Sequence, residues 1–127
     1  MVTSDHRAAA KRYVDALGSS VLPEQPARTP HAQATFVTIG PEAVIELAEP
    51  EDADCPLARD LELVGDSICG VTFRVRDVAV ARAWVERNGG QLHDVADRTV
   101  AFDRAVTFGS DWAFTDRPLD GDPRRWA

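Results

Sequence analysis

Apolar residues recur at helical spacing between Asp5 and Gly18, where Ala10, Tyr13, Val14 and Leu17 share one face. Asp5 can accept from the first amides of that run and Gly18 can stop it, which predicts a helix with defined ends. Pro23, Pro26 and Pro30 then deny ladder hydrogen bonds and confine residues 19–30 to a loop or an edge strand. Ala34 to Ile39 and Ala43 to Ala48 read as two strands turned by Gly40-Pro41, a hairpin. After an acidic turn at 50–54, Pro56 suits a first helical position. Leu57, Leu61 and Val64 mark the buried side of a short helix that Gly65 ends. Ile68 to Val75 reads as a strand, and Asp77 caps a longer helix with Val78, Ala81 and Val85 as its buried stripe, ended by Asn88-Gly89-Gly90. Further strands are expected at 91–95, 99–107 and 111–115.

The two halves repeat weakly. Asp5 matches Asp77, Ala9 matches Ala81 and Tyr13 matches Val85, each pair 72 residues apart, and hairpin-type strands follow both helices. That period exceeds a solenoid unit and predicts two copies of a strand-helix-strands module in an α+β domain. The modules span about 1–54 and 66–118, joined by the helix at 56–64, with 119–127 as a polar tail. Only Met1 to Ser4 stand where the first copy needs an opening strand, so that strand is expected to be missing or a stub.

The chain has 127 residues, 44% of them apolar, enough for a real core in one domain. A net charge of −7 repels phosphate backbones and anionic lipid, and the cations are interleaved with acids apart from the lone pair Arg124-Arg125. Neither nucleic acid nor a membrane is an expected partner. The start carries no basic and apolar leader pattern, and no apolar run approaches the roughly 18 residues that span a bilayer, so a cytoplasmic location is expected. Cys55 and Cys69 are expected to be reduced, Cys69 as a small core residue.

Most chemistries leave no trace. No serine sits in a strand-turn-helix elbow, Cys69 has no base nearby in sequence, and Gly89-Gly90 lacks the residues of a phosphate loop. His6, His31 and His93 show no paired spacing and read as surface or capping residues, with His31, next to a strand, the one of interest. The aromatics Phe36, Phe73, Trp84, Phe102, Phe108, Trp112 and Phe114 read mostly as core.

Several segments in register resemble the vicinal oxygen chelate superfamily of glyoxalase and bleomycin-resistance proteins. They are Phe36-Val37-Thr38-Ile39-Gly40, Val44-Ile45-Glu46-Leu47-Ala48-Glu49-Pro50, Pro56-Leu57-Ala58-Arg59, and Val71-Thr72-Phe73-Arg74-Val75-Arg76-Asp77-Val78. Their order is most similar to the methylmalonyl-CoA epimerase-like branch, and the resemblance covers residues 5–118. It implies paired βαβββ modules whose mixed sheets curl around a groove, where the family usually holds a divalent metal on inward His and Glu side chains.

Carried over residue by residue, most of that metal site is absent. The first His would lie on the opening strand and has no counterpart; the first carboxylate matches Glu46; the second His falls on Gly70; the last Glu falls on Ala113. An epimerase general base matches Ala34. A lone carboxylate does not hold a divalent ion at useful affinity, so neither a metal nor another cofactor is expected.

Strand alternation sets Glu46 opposite Ile45 and Leu47, toward the groove if those two pack under a helix, as a possible metal-free acid or base. Thr72 and Arg74 share a face with Gly70 and should line the groove, Arg74 binding an anionic group or pairing with Glu46. Phe36 and Trp112 are candidate walls of an apolar pocket, and His31 is a further ligand-binding candidate. The expected function is metal-independent binding of a small molecule, in the manner of the bleomycin-resistance members. The alternative is an isomerase- or lyase-type enzyme with Glu46 and Arg74 as its catalytic residues. An unpaired sheet edge at the missing strand predicts a homodimer.

Overall fold

A computed structural model describes residues 1–124 and is α+β, with three α-helices and mixed sheets that do not close into a barrel. Arg125 and the last two residues of the expected tail lie outside the described residues. The chain divides into two compact units: Met1–Ile68 with the stretch from Leu119, and Cys69–Pro118.

In the first unit, α1 (His6–Leu17) begins at Asp5, whose side chain accepts from the amides of Arg7 and Ala8, and stops at left-handed Gly18. Strands β1 (Ala32–Ile39) and β2 (Ala43–Pro50) form the expected antiparallel hairpin, with Phe36 opposite Glu46 and Val37 opposite Ile45. Antiparallel partners share a face, so Val37, Ile45, Thr35 and Leu47 project to one side and Phe36, Glu46, Ala34 and Ala48 to the other. Helix α1 covers the first side, where Ala9 and Ala10 let it approach Val37 and Leu47 closely. The buried stripe is therefore His6, Ala9 and Ala10 with half-buried Tyr13, shifted from the expected one: Val14 and Leu17 are exposed.

Residues 19–30 form no strand beyond a bridge from Val21 to Val37. The opening strand is a stub: Val2 pairs in parallel with Ala48 and antiparallel with Ser67, and the amide of Thr3 donates to the Ala48 carbonyl. Helix α2 (Pro56–Val64) buries Leu57 but exposes Val64, against the expected stripe. From Leu119 the chain rejoins this unit, where Gln25 accepts from the Asp120 amide at 3.0 Å and donates to its carbonyl at 3.1 Å.

The second unit is a four-stranded sheet in the order β3-β6-β5-β4, with β3 (Gly70–Arg74) parallel to β6 (Asp111–Thr115) and β4 (His93–Ala96) and β5 (Thr99–Ala101) antiparallel. Asp77 caps α3 (Val78–Arg87) by accepting from Ala79 and Val80. Strand β5 is far shorter than expected, because Asp103 accepts from Ala105 and starts a 3₁₀ turn at Arg104–Val106. Val85 of α3, Leu92 and Val100 form the core, with Val78, Phe102 and Phe114 against it. The repeat is visible in the hydrogen bonds: the Val75 amide donates to Thr115 as the Thr3 amide does to Ala48. Glu46 and Ala113, each two residues earlier in its strand, are thus equivalent positions.

Other expectations about burial also fail. Cys69 is only half-buried while Cys55 is buried, and neither is in a disulfide. Phe73, Trp84, Phe108 and Trp112 are exposed rather than core.

Candidate functional site

Glu46 projects from the side of β2 away from α1, as alternation requires once Ile45 and Leu47 pack under the helix. Its carboxylate is engaged by residues 28 and 29 of its own unit. Its Oε1 accepts the backbone amides of Arg28 at 2.7 Å and Thr29 at 2.9 Å, and its Oε2 accepts the Thr29 hydroxyl at 3.1 Å. Val21 bridges to β1 on one side of the hairpin and Thr29 is tied to β2 on the other, so the proline-rich segment between them passes over this face. Phe36, directly opposite Glu46, is 3% exposed. The carboxylate thus gives up at least three of its roughly four acceptor sites to a turn of its own chain.

His31 stands outside β1 in a left-handed conformation, with Nδ1 3.3 Å from the Asp52 carboxylate in an exposed pair. His6, expected at the surface, is only 9% exposed. Its Nδ1 lies 2.7 Å from the Thr35 hydroxyl, and its backbone N–H donates to Glu49 at 3.2 Å. The helix stripe that begins at His6, rather than at Ala10, is the signal that would have placed it inward.

In the second unit Thr72 pairs with Ala113 and Arg74 with Thr115, so both share the face of Gly70, as expected. Trp112 does not. One residue from Ala113, it falls on the α3 side, its ring 5.9 Å from that of Phe73, which stacks on Phe114 at 5.6 Å. Trp112 is therefore no wall on the Thr72 and Arg74 face, and strand parity alone implied as much once Ala113 was read as inward. It lines a separate hollow of about 560 Å³ together with Gly90, Phe102, Val106 and Phe108.

The positions that would hold a metal do not fit one. A Cβ added at Gly70 would lie 2.5 Å from the Asp111 carbonyl oxygen, so β6 leaves no room for a histidine on this backbone. Ala113 offers no donor, and Glu46 is engaged by residues 28 and 29. Among the described residues no three His, Cys, Asp or Glu side chains converge. Nor is any helix among the described residues long and apolar enough to cross a membrane.

Paired modules of this topology, with ligand-type positions equivalent between them, define a protein of the glyoxalase class. The chain belongs to the Glyoxalase/Bleomycin resistance protein/Dioxygenase superfamily, whose family model matches residues 1–108. Similar solved structures include methylmalonyl-CoA epimerase from Mycobacterium tuberculosis, 17% identical with a TM-score of 0.80, covering 93% of this chain and 84% of that one. A hypothetical protein from Bacillus halodurans is 20% identical with a TM-score of 0.77, covering 94% and 91%. Streptomyces coelicolor methylmalonyl-CoA epimerase, in complex with 2-nitronate-propionyl-CoA, is 14% identical with a TM-score of 0.74 and covers 89% of each chain. No curated protein sequence matches.

Proposed function

We propose that this chain is a metal-independent small-molecule binding protein of the glyoxalase and bleomycin-resistance type. The observation that carries the reading is Gly70, where the approach of β6 excludes the side chain that a second metal ligand would need. Glu46 orders the 28–29 turn over its sheet face, and Thr72 and Arg74 offer a hydroxyl and a cation for a ligand on theirs. Metal analysis and native mass spectrometry of protein purified from cells test this. A retained organic ligand with substoichiometric metal is expected, and one equivalent of a divalent metal per chain would overturn it.

A second reading is favoured by the similarity to the epimerases: an isomerase- or lyase-type enzyme in which Glu46 moves the proton and Arg74 steadies developing negative charge. Turnover that Glu46→Gln abolishes would select it. Such a protein works in the cytoplasm on a small molecule, without nucleic acid or membrane as partner. The stub reaches β2 at Glu46 and Ala48, and a second copy pairing along the rest of that edge makes the homodimer. A monomeric mass by light scattering at micromolar concentration removes the dimer.

A further inference from the structure

The hollow of the second unit is lined by Phe102, which also packs against the core, and by the exposed rings of Phe108 and Trp112. Phe108 is 103% exposed. It also holds φ of +56°, a left-handed conformation unfavourable for a bulky side chain, immediately before Gly109 at +83°. Burial in its own unit does not offset that strain. What the conformation does is stand an aromatic ring at the rim of a cavity of about 560 Å³, a volume within the range of small-molecule sites. Trp112, 42% exposed, and Phe102 supply two further aromatic walls, and Val106 an aliphatic one.

Two polar side chains around the cavity have partners close in sequence. Asp103 accepts from the Ala105 amide at 2.7 Å, and the Thr107 hydroxyl bonds the Ser110 carbonyl at 2.5 Å. An apolar occupant leaves the Thr107 hydroxyl satisfied and the Asp103 carboxylate in solvent at the rim, and an anionic one is repelled by that carboxylate. At Gly90 an added Cβ would sit 2.5 Å from Val85 Cγ1 and 3.3 Å from Phe102 Cε1, so that backbone lies directly against the core and the aromatic wall.

We infer that this hollow, on the opposite side of the sheet from Thr72 and Arg74, is a second binding site that takes one neutral, planar aromatic molecule between Phe108, Phe102 and Trp112. Its occupant stacks on ring faces rather than being read by hydrogen bonds, with the amide of Gln91, which also lines the hollow, available to a single polar substituent.

The test is a fluorescence titration of the full chain with N-phenyl-1-naphthylamine, a neutral planar probe. One saturable site per chain is expected, with affinity reduced about tenfold or more in both Phe108→Ser and Trp112→Ala, as loss of a large apolar contact implies. Phe108→Ser removes a fully exposed ring, so it tests the site even if Trp112→Ala does not fold. Failure of the probe to saturate, affinity unchanged in Phe108→Ser, or loss only in Phe36→Ala, on the other unit, overturns the inference. The result is independent of whether metal or ligand is found under the function proposed above.

Discussion

The Glu46 carboxylate accepts the backbone N–H of Thr29 at 2.9 Å, joining the middle of β2 to a turn 17 residues earlier. The same Oε1 takes the Arg28 amide, and Oε2 takes the Thr29 hydroxyl. A residue that sequence reading assigns to chemistry is, in the fold, the fastening of the proline-rich loop. Charge-assisted bonds of this kind are short and strong, and leaving their amides without an acceptor costs more than the bonds contribute net.

Glu46→Gln keeps the shape but replaces one acceptor oxygen with a donor. A loss of about 1–3 kcal/mol of stability is expected, with faster amide hydrogen exchange at residues 28 and 29. Urea unfolding and exchange by NMR check the two effects, and unchanged exchange at Thr29 would contradict the fastening role.

Leu47 is fully buried in the cluster with Ala9, Ala10 and Val37. Truncation by Leu47→Ala should cost about 2–5 kcal/mol, since the helix and strands around it relax only partly into the space. Chemical denaturation gives the number.

Gly70→Ala should destabilise by about 1–3 kcal/mol through overpacking, because the new Cβ meets the Asp111 carbonyl oxygen at 2.5 Å. Gly70→His should be worse and should bind no zinc or nickel by calorimetry. Tight metal binding by that variant would mean that β6 yields more readily than its backbone contact implies.

Asp116 has its carboxyl held below the ordinary carboxylate range, first by the hydrogen bond from the Val78 amide and then by Arg98, with partial burial opposing both. A depressed folded-state value contributes stability that is present above the unfolded value, near 3.8, and is lost as pH falls through the folded one. Asp116→Asn should therefore be less stable than the parent at neutral pH, and the gap should narrow as the medium is made strongly acidic. Melting temperatures of the pair between pH 7 and pH 2 measure it, and a gap independent of pH would contradict the linkage.

The local rules were legible. Asp5 and Asp77 announce their helices because a short side-chain oxygen satisfies amides two or three residues on. Gly40 turns the hairpin, and the 72-residue offset between the caps reports the repeated module. Those features depend on neighbours in sequence, which the chain carries with it. The expected strand at 99–107 stops early for an equally local reason, since Asp103 starts a turn as readily as Asp5 starts a helix.

The order of residues by itself determined the fold class, the paired modules, the hairpin of β1 and β2, and that Glu46 stands opposite Ile45 and Leu47 while Thr72 and Arg74 share a face with Gly70. Only the tertiary structure decided what meets each of those faces. That Glu46 fastens residues 28 and 29, that His6 is buried on Thr35, that Gly70 lies against Asp111 and that Phe108 is left in the open are contacts between segments far apart in sequence or choices about which apolar residue stays outside. Periodicity assigns a side chain to a side, but the packing of distant backbone decides whether that side is filled, fastened or left hollow.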